Sequence, residues 1–128
     1  MTAATTEYDE IVRVIQLYID GASKGDVGKL KEAFHADSRM FGEAGGTRYD
    51  MPIAELFDMA AQMPGDTGNY QGRVTSVTQA GDAAVAVVAE DGYWGTVSFI
   101  DFFSMARIAG IWKIVNKTFA HVGGHLPS

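Results

Sequence analysis

The sequence predicts an α+β domain, with three helices in its first half and a curved sheet in its second. Two observations carry this. Apolar residues in the first half recur at three- and four-residue steps, whereas those of the second half alternate or run together between glycine turns. Helices first and consecutive strands afterwards define an α+β chain with an antiparallel sheet.

Tyr8, Ile11, Val12, Ile15, Tyr18, Ile19 and Ala22 form the apolar stripe of the first helix. Thr6 can cap it, with Asp9 three residues on, and Gly25 stops it. Asp26 can cap a short second helix through Val27, Leu30, Ala33 and Phe34. His35-Ala36-Asp37-Ser38 then turns the chain into a short strand, Arg39-Met40-Phe41, and Glu43-Ala44-Gly45-Gly46 reads as a loop or hairpin tip. A third helix is expected from Asp50-Met51-Pro52, with Ile53, Leu56, Phe57, Ala60 and Met63 as its stripe and Pro64-Gly65-Asp66 as its end. Four strands follow: Tyr70 to Ala80, Ala83 to Glu90, Trp94 to Ile108 and Ile111 to His121. Gly81-Asp82, Asp91-Gly92 and Ala109-Gly110 are the expected turns.

The 128 residues, 47% of them apolar, fit one domain, with its core at about 8–121 and a mobile tail expected over 122–128. Zero Cys excludes disulfides, a thiol nucleophile and thiolate metal sites. The formal charge of −6, with no basic run, argues against nucleic acid. No apolar run approaches the roughly 20 residues of a membrane helix. The first residues, Met1 to Glu7, lack the basic start and apolar stretch of a leader, so a cytoplasmic location is expected.

Helices inside a bent sheet leave a cone, and its mouth is a natural small-molecule site. Val97, Phe99, Asp101 and Phe103 share one face of the long strand. A carboxylate among those residues is costly unless paired or protonated. Asp101 is therefore matched to a cation such as Lys117 or Arg107, set at a bulge, or held neutral as a hydrogen-bond donor. Tyr18 brings a hydroxyl onto the apolar face of the first helix, and that hydroxyl needs a partner. Asn116 is expected on one face with Ile114 and Thr118, where it could orient a ligand carbonyl or simply pair with backbone. His35 is a candidate general base or a structural turn residue. Glu43 and His121 are further candidates to move a proton. Met40, Phe57, Met59, Met63, Trp94 and Phe99 are candidate pocket walls, with Phe103 beside them. His121 and His125 lie at a strand end and in a glycine-rich tail without an apparent third ligand, so no metal site is expected, and no cofactor motif is present.

Several segments together resemble the nuclear transport factor two-like superfamily, whose fold is a cone of helices in a curved, mixed but mostly antiparallel sheet. They are Tyr18-Ile19-Asp20-Gly21, Gly25-Asp26, Phe34-His35-Ala36-Asp37-Ser38, Phe99-Ile100-Asp101-Phe102-Phe103 and Gly110-Ile111-Trp112-Lys113-Ile114-Val115-Asn116-Lys117. Within the superfamily, the D-[YF]-F and G-x-W-[KR]-I-V-N-K strands are most similar to the putative lumazine-binding family. SnoaL-like polyketide cyclases and ketosteroid isomerase are more distantly similar. In ketosteroid isomerase a Tyr and a protonated Asp form an oxyanion hole, and by resemblance Tyr18 and Asp101 take those positions. The isomerase's basic Asp corresponds to Gly42 here. The resemblance implies a lyase or isomerase acting next to a carbonyl, with Asn116, Thr118, Phe57, Met63, Trp94, Phe99, Phe103 and His121 around the substrate. The alternatives are a non-catalytic binder of a planar, pterin- or lumazine-like heterocycle and a dimeric accessory domain. A homodimer through the outer sheet face is also implied, with Ile100, Phe102, Val115 and Phe119 forming the apolar patch.

Overall fold

A computed structural model of the chain describes residues 6–127. The reading of the first residues as lacking a leader falls largely on residues 1–5, outside the described ones. The elements are α1 (Glu7–Lys24), α2 (Val27–Ala33), β1 (Phe34–Ala44), β2 (Thr47–Pro52), α3 (Ala54–Gln62), β3 (Asp66–Ala80), β4 (Ala83–Tyr93), β5 (Val97–Ile108) and β6 (Ile111–Gly123). They form the expected α+β architecture. The strand order is β2-β1-β6-β5-β4-β3. Only β1 and β6 pair in parallel, so the sheet is mixed and mostly antiparallel. It curves without closing, because β2 and β3 remain edges.

The helix ends follow the sequence. Thr6 Oγ1 accepts from the Asp9 amide at 3.1 Å, and Asp9 Oδ2 accepts from the Thr6 amide at 3.3 Å, completing a capping box. Gly25 ends α1 at φ +70°, a left-handed conformation that glycine adopts without strain. Asp26 caps α2 by accepting from the Lys29 amide at 3.2 Å. Ile11, Val14, Ile15, Tyr18, Ile19 and Ala22 are buried on one side of α1, which lies against β3, β4 and β6. Tyr18, Phe34, Phe57 and Phe103 form the aromatic centre of the core, with Tyr18 and Phe103 edge to face at 4.7 Å.

Three sequence expectations are corrected. First, Asp50-Met51-Pro52 does not open α3. It completes β2, where Asp50, Met51 and Pro52 face Phe41, Met40 and Arg39 of β1. The Gly45-Gly46 turn, with φ of +57° and +82°, reverses the chain so that β2 pairs with β1, and that pairing overrides the helix-start signal of Pro52. Second, Asp91-Gly92 is not the β4–β5 turn. It lies within β4 at a register shift, and the chain reverses at Trp94-Gly95-Thr96. Third, β6 changes register between Ile114 and Asn116. A bulge reverses the alternation beyond it. Ile114 is buried, but so are Lys117 and Phe119, while Asn116 and Thr118 turn to the other face.

Val122 and Gly123, expected in the tail, complete β6. Leu126 then packs against the core and lies over Gly45.

The bulge sets Phe119 directly over Gly42, its partner across the parallel pair. A Cβ on Gly42 would lie 2.6 Å from the Phe119 ring. Gly42→Ala should therefore destabilise the fold by about 1–3 kcal/mol, the cost of overpacking. Chemical denaturation of both proteins checks this, and unchanged stability would mean that the ring is free to yield.

Candidate active site

The polar centre is built on three adjacent strands. The inward alternation of β4 buries Ala84, Ala86, Val88 and Glu90, and that of β5 buries Val97, Phe99, Asp101 and Phe103. After its bulge, β6 buries Lys117 and Phe119. Glu90 faces Phe99 and Asp101 faces Phe119 in the ladder, whereas Lys117 faces Phe103. Glu90, Asp101 and Lys117 thus lie on a diagonal across the inner face. Helix α1 lays Tyr18 over them.

The Tyr18 hydroxyl lies 2.9 Å from Asp101 Oδ2 and 3.3 Å from Glu90 Oε2, and it has one proton to give. Tyr70 donates to Glu90 Oε1 at 2.7 Å. Lys117 Nζ lies 3.6 Å from Asp101 Oδ1, 3.7 Å from Met40 Sδ and 4.6 Å from the centre of the Phe119 ring. Asp101 Oδ1 has no hydrogen-bond partner among the described residues.

Charge decides the protonation of this cluster. Two carboxyls and one ammonium share a water-poor interior, and one cation can balance only one of them. Burial pushes the Glu90 carboxyl well above its ordinary value of 4.5. The negative charge of Asp101 and a hydrogen bond with it push further, against the opposing effects of Lys117 and Tyr70. Glu90 is accordingly the group driven towards its neutral form. The hydroxyls of Tyr18, Tyr70 and Tyr93 are likewise held neutral, first by burial and then by the neighbouring carboxylates.

Tyr18, Glu90 and Lys117 line the inner end of a cavity of about 50 Å³, and its walls include Met40, Leu56, Tyr93, Phe99 and Phe119. An outer recess of about 300 Å³ lies beside Gln62, Met63 and Pro127. Tyr49, Met59, Trp94 and Leu126 line both spaces. The inner space alone is far below the roughly 300–1,000 Å³ of a typical ligand site, whereas the two together reach that range.

The other expected residues are distributed as follows. Asp101 lies behind Tyr18 and Lys117, and Glu90 is the carboxyl that lines the cavity. Phe99 is a wall, Trp94 joins the two spaces, and Met63 borders the outer one. Phe57 and Phe103 are core residues behind the cavity. Asn116 and Thr118 point away from it and bond to each other at 3.0 Å. His35 lies outside it, near the start of β1 rather than in the expected turn, and its Nδ1 accepts from the Asp37 amide at 3.0 Å. Glu43 is exposed on β1.

His121 is fully engaged. Its Nδ1 accepts from the Gly45 amide at 3.3 Å, which places the proton on Nε2, 2.7 Å from the Gly124 carbonyl. Among the described residues, no group of three or more His, Asp and Glu side chains is placed to hold a metal.

The sequence placed Glu90 and Tyr70 only as strand ends, not among the candidate site residues. The signal for Glu90 was present, since it continues the alternation of Ala84, Ala86 and Val88. Its neighbours Asp91-Gly92 concealed it by resembling a turn.

Helices α1 to α3 held in this sheet around a polar-floored cavity are the architecture of NTF2-like proteins. The chain belongs to the family described as "Putative lumazine-binding", matched over residues 6–120. It is 26% identical over 115 residues to "Aldolase FrzH" of Cladobotryum sp, covering 90% of this chain and 91% of that one. It resembles an NTF2-like protein of unknown function from Methylobacillus flagellatus, with 30% identity, 94% and 96% of the two chains covered and a TM-score of 0.83. A ketosteroid isomerase-like protein from Erwinia carotovora atroseptica shares the fold at 14% identity, with 93% and 98% covered and a TM-score of 0.73.

The raised Glu90 carboxyl gives a pH dependence with a definite sign. Above pH 4.5, the ordinary value, an unfolded chain has released this proton while the folded chain still holds it. Its contribution to stability is complete below that pH and declines as pH rises, with a slope of up to about 1.4 kcal/mol per pH unit, until the raised value is passed. Glu90→Gln should remove that slope. Denaturant titrations of the two proteins from pH 5 to pH 9 give the comparison; parallel profiles would show Glu90 ionised in the native state.

Proposed function

We propose that the chain is an enzyme acting at the carbon next to a carbonyl, a lyase or isomerase that works through side-chain acid–base chemistry. The carrying observation is the buried, neutral-leaning Glu90 carboxyl at the floor of an apolar cavity, beside the hydroxyls of Tyr18 and Tyr70. Glu90 and Asp101 together hold one proton and one negative charge, so the pair can take a second proton from a substrate carbon. Negative charge then moves to the substrate oxygen. The Tyr18 hydroxyl and the positive Lys117 are placed to receive it in a site with little water. Returning the proton to another carbon completes an isomerisation, and attack of the enolate on a second carbonyl completes an aldol reaction. The similarity to a protein named as an aldolase supports this reading, because aldol chemistry begins with the same proton abstraction.

In this assignment the proton carrier is Glu90, in place of His35, Glu43 or His121. Asp101 supports Glu90 and Tyr18 from behind. The ligand is a small planar or apolar carbonyl compound, admitted when Tyr49, Met59, Trp94 and Leu126 part. The same aromatic walls suit a non-catalytic binder of a flat heterocycle, and the family's description favours that second reading. A cytoplasmic setting fits the absence of Cys.

The two readings separate on one measurement. In deuterated buffer the protein should accelerate exchange of the α-protons of cyclohexanone, followed by NMR. Glu90→Gln should slow that exchange about 100-fold or more, the usual contribution of a general base, and Tyr18→Phe should slow it less. Binding of cyclohexanone without any accelerated exchange would establish the binder.

The outer sheet face supports a homodimer. Phe41, Thr118, Phe102 and Val87 form one row across β1, β6, β5 and β4, with Ala120, Ile100 and Ala89 as the next. Phe102 is 46% exposed and Val85 47%, and a broad apolar face of this kind usually marks an interface. Phe119 does not belong to this patch as the sequence suggested, because it lines the cavity. Light scattering should give a dimer mass for the wild type and a monomer or aggregates for Phe102→Glu. A monomeric wild type at micromolar concentration would overturn the interface.

A further inference from the structure

We infer that Lys117 bonds covalently to its substrate, forming an iminium through Nζ with the carbonyl carbon of an aldehyde or ketone. The inference rests on the proposed carbonyl chemistry and deepens it by adding a nucleophile.

Three features of the site carry it. The Lys117 side chain is 7% exposed, yet it lines the inner cavity. A buried lysine that serves only structure is expected to have its donors taken up by acceptors. Lys117 instead has a thioether sulfur at 3.7 Å and an aromatic face at 4.6 Å. Its nearest carboxylate oxygen, Asp101 Oδ1, lies at 3.6 Å, beyond a good hydrogen bond, and has no other partner among the described residues. The nitrogen is thus placed towards the cavity, with an unoccupied proton acceptor behind it.

The chemistry balances on these groups. Lys117 passes one proton from its ammonium to Asp101 Oδ1 and exposes a lone pair. That pair forms the N–C bond as the carbonyl π pair moves to oxygen, and the oxygen takes a proton from the Glu90–Asp101 pair. The new N–C nitrogen then gives up one of its two protons, which the carboxyl pair passes to the same oxygen, and loss of that oxygen as water leaves the iminium. The sum is one ammonium and one carbonyl giving one iminium and one water, with charge unchanged. The iminium keeps the positive charge that the ammonium placed against Asp101, so the balance of the buried cluster survives the reaction. The cation also acidifies the adjacent C–H, whose proton returns to the carboxyl pair to give an enamine. Water later adds back to release the product and restore the lysine.

Borohydride trapping tests this on the wild-type chain without requiring turnover. The protein is incubated with propanal, reduced with cyanoborohydride and mapped by peptide mass spectrometry. The expected result is a propyl secondary amine on Lys117 before the exposed Lys24 and Lys31 are modified. Random amine chemistry would give the reverse order, and labelling confined to exposed lysines overturns the proposal. Asp101→Asn, which removes the proton acceptor, should reduce Lys117 labelling at least tenfold while the exposed lysines react as before. If Lys117 is not trapped but cyclohexanone still exchanges deuterium through Glu90, the enolising reading stands and the covalent step fails. If Lys117 is trapped but no exchange occurs, the covalent step stands and the role of Glu90 in enolisation fails.

Discussion

The arrangement of the inner sheet face depends on a charge balance: two carboxyls and one ammonium enclosed by aromatic rings. An isolated buried charge costs several kcal/mol, and removing one partner of a buried pair typically costs about 3–5 kcal/mol because the other is stranded. Glu90, Asp101 and Lys117 therefore have to be satisfied as a set. Tyr18 and Tyr70 supply the hydrogen bonds that make this possible, from α1 and β3 respectively. The outcome is a hydrophobic core with a polar floor on one side. A core built for stability alone would be better served by apolar residues at these positions.

That balance constrains the backbone. Glu90, Asp101 and Lys117 can meet only if β4, β5 and β6 are adjacent and in their observed register. A one-residue slip of any strand would carry its charged residue to the outer face. The bulge between Ile114 and Asn116 is the local device that permits it. Without it, the residues that share a face with Ile114 would be Asn116 and Thr118, and Lys117 would point outward beside Phe102. The same bulge turns Phe119 inward over Gly42. Its ring fills the space where ketosteroid isomerase, by resemblance, carries its base. The carboxyl proposed as proton carrier, Glu90, stands instead on β4.

Much of this was legible in the sequence, and the limits are physical. Helices α1 and α2 announced themselves through Thr6, Asp26, Gly25 and a regular apolar stripe, because caps and periodicity are local signals. Asp101 and Tyr18 stood out because a polar group on an apolar face requires a partner, and they prove to be partners of each other. Glu90 was hidden by Asp91-Gly92, whose turn chemistry serves a bulge here. Lys117 was visible only as one possible neutraliser of Asp101, since the parity of β6 rests on a bulge that leaves no reliable mark in Ile114-Val115-Asn116. Strand β2 was missed because Met51 and Pro52 also fit the start of a helix, and pairing with β1 is a non-local fact.

The mouth of the cavity follows from the same geometry. His121 follows Lys117 and Phe119 along the inward side of β6, close to the end of the strand. Its ring accepts from Gly45 at the β1–β2 turn and donates towards Gly124, so it ties the hairpin to the chain beyond β6. Thr96 donates to the His125 carbonyl at 2.8 Å and fixes the same segment from the β4–β5 turn. These contacts seat Leu126 between the inner and outer spaces. The histidine that the sequence offered as a proton carrier is therefore engaged with the backbone around the entrance. Under the proposed chemistry, an entrance held by these backbone contacts would keep Glu90, Asp101 and Lys117 dry and leave their charge balance undisturbed when a carbonyl compound enters.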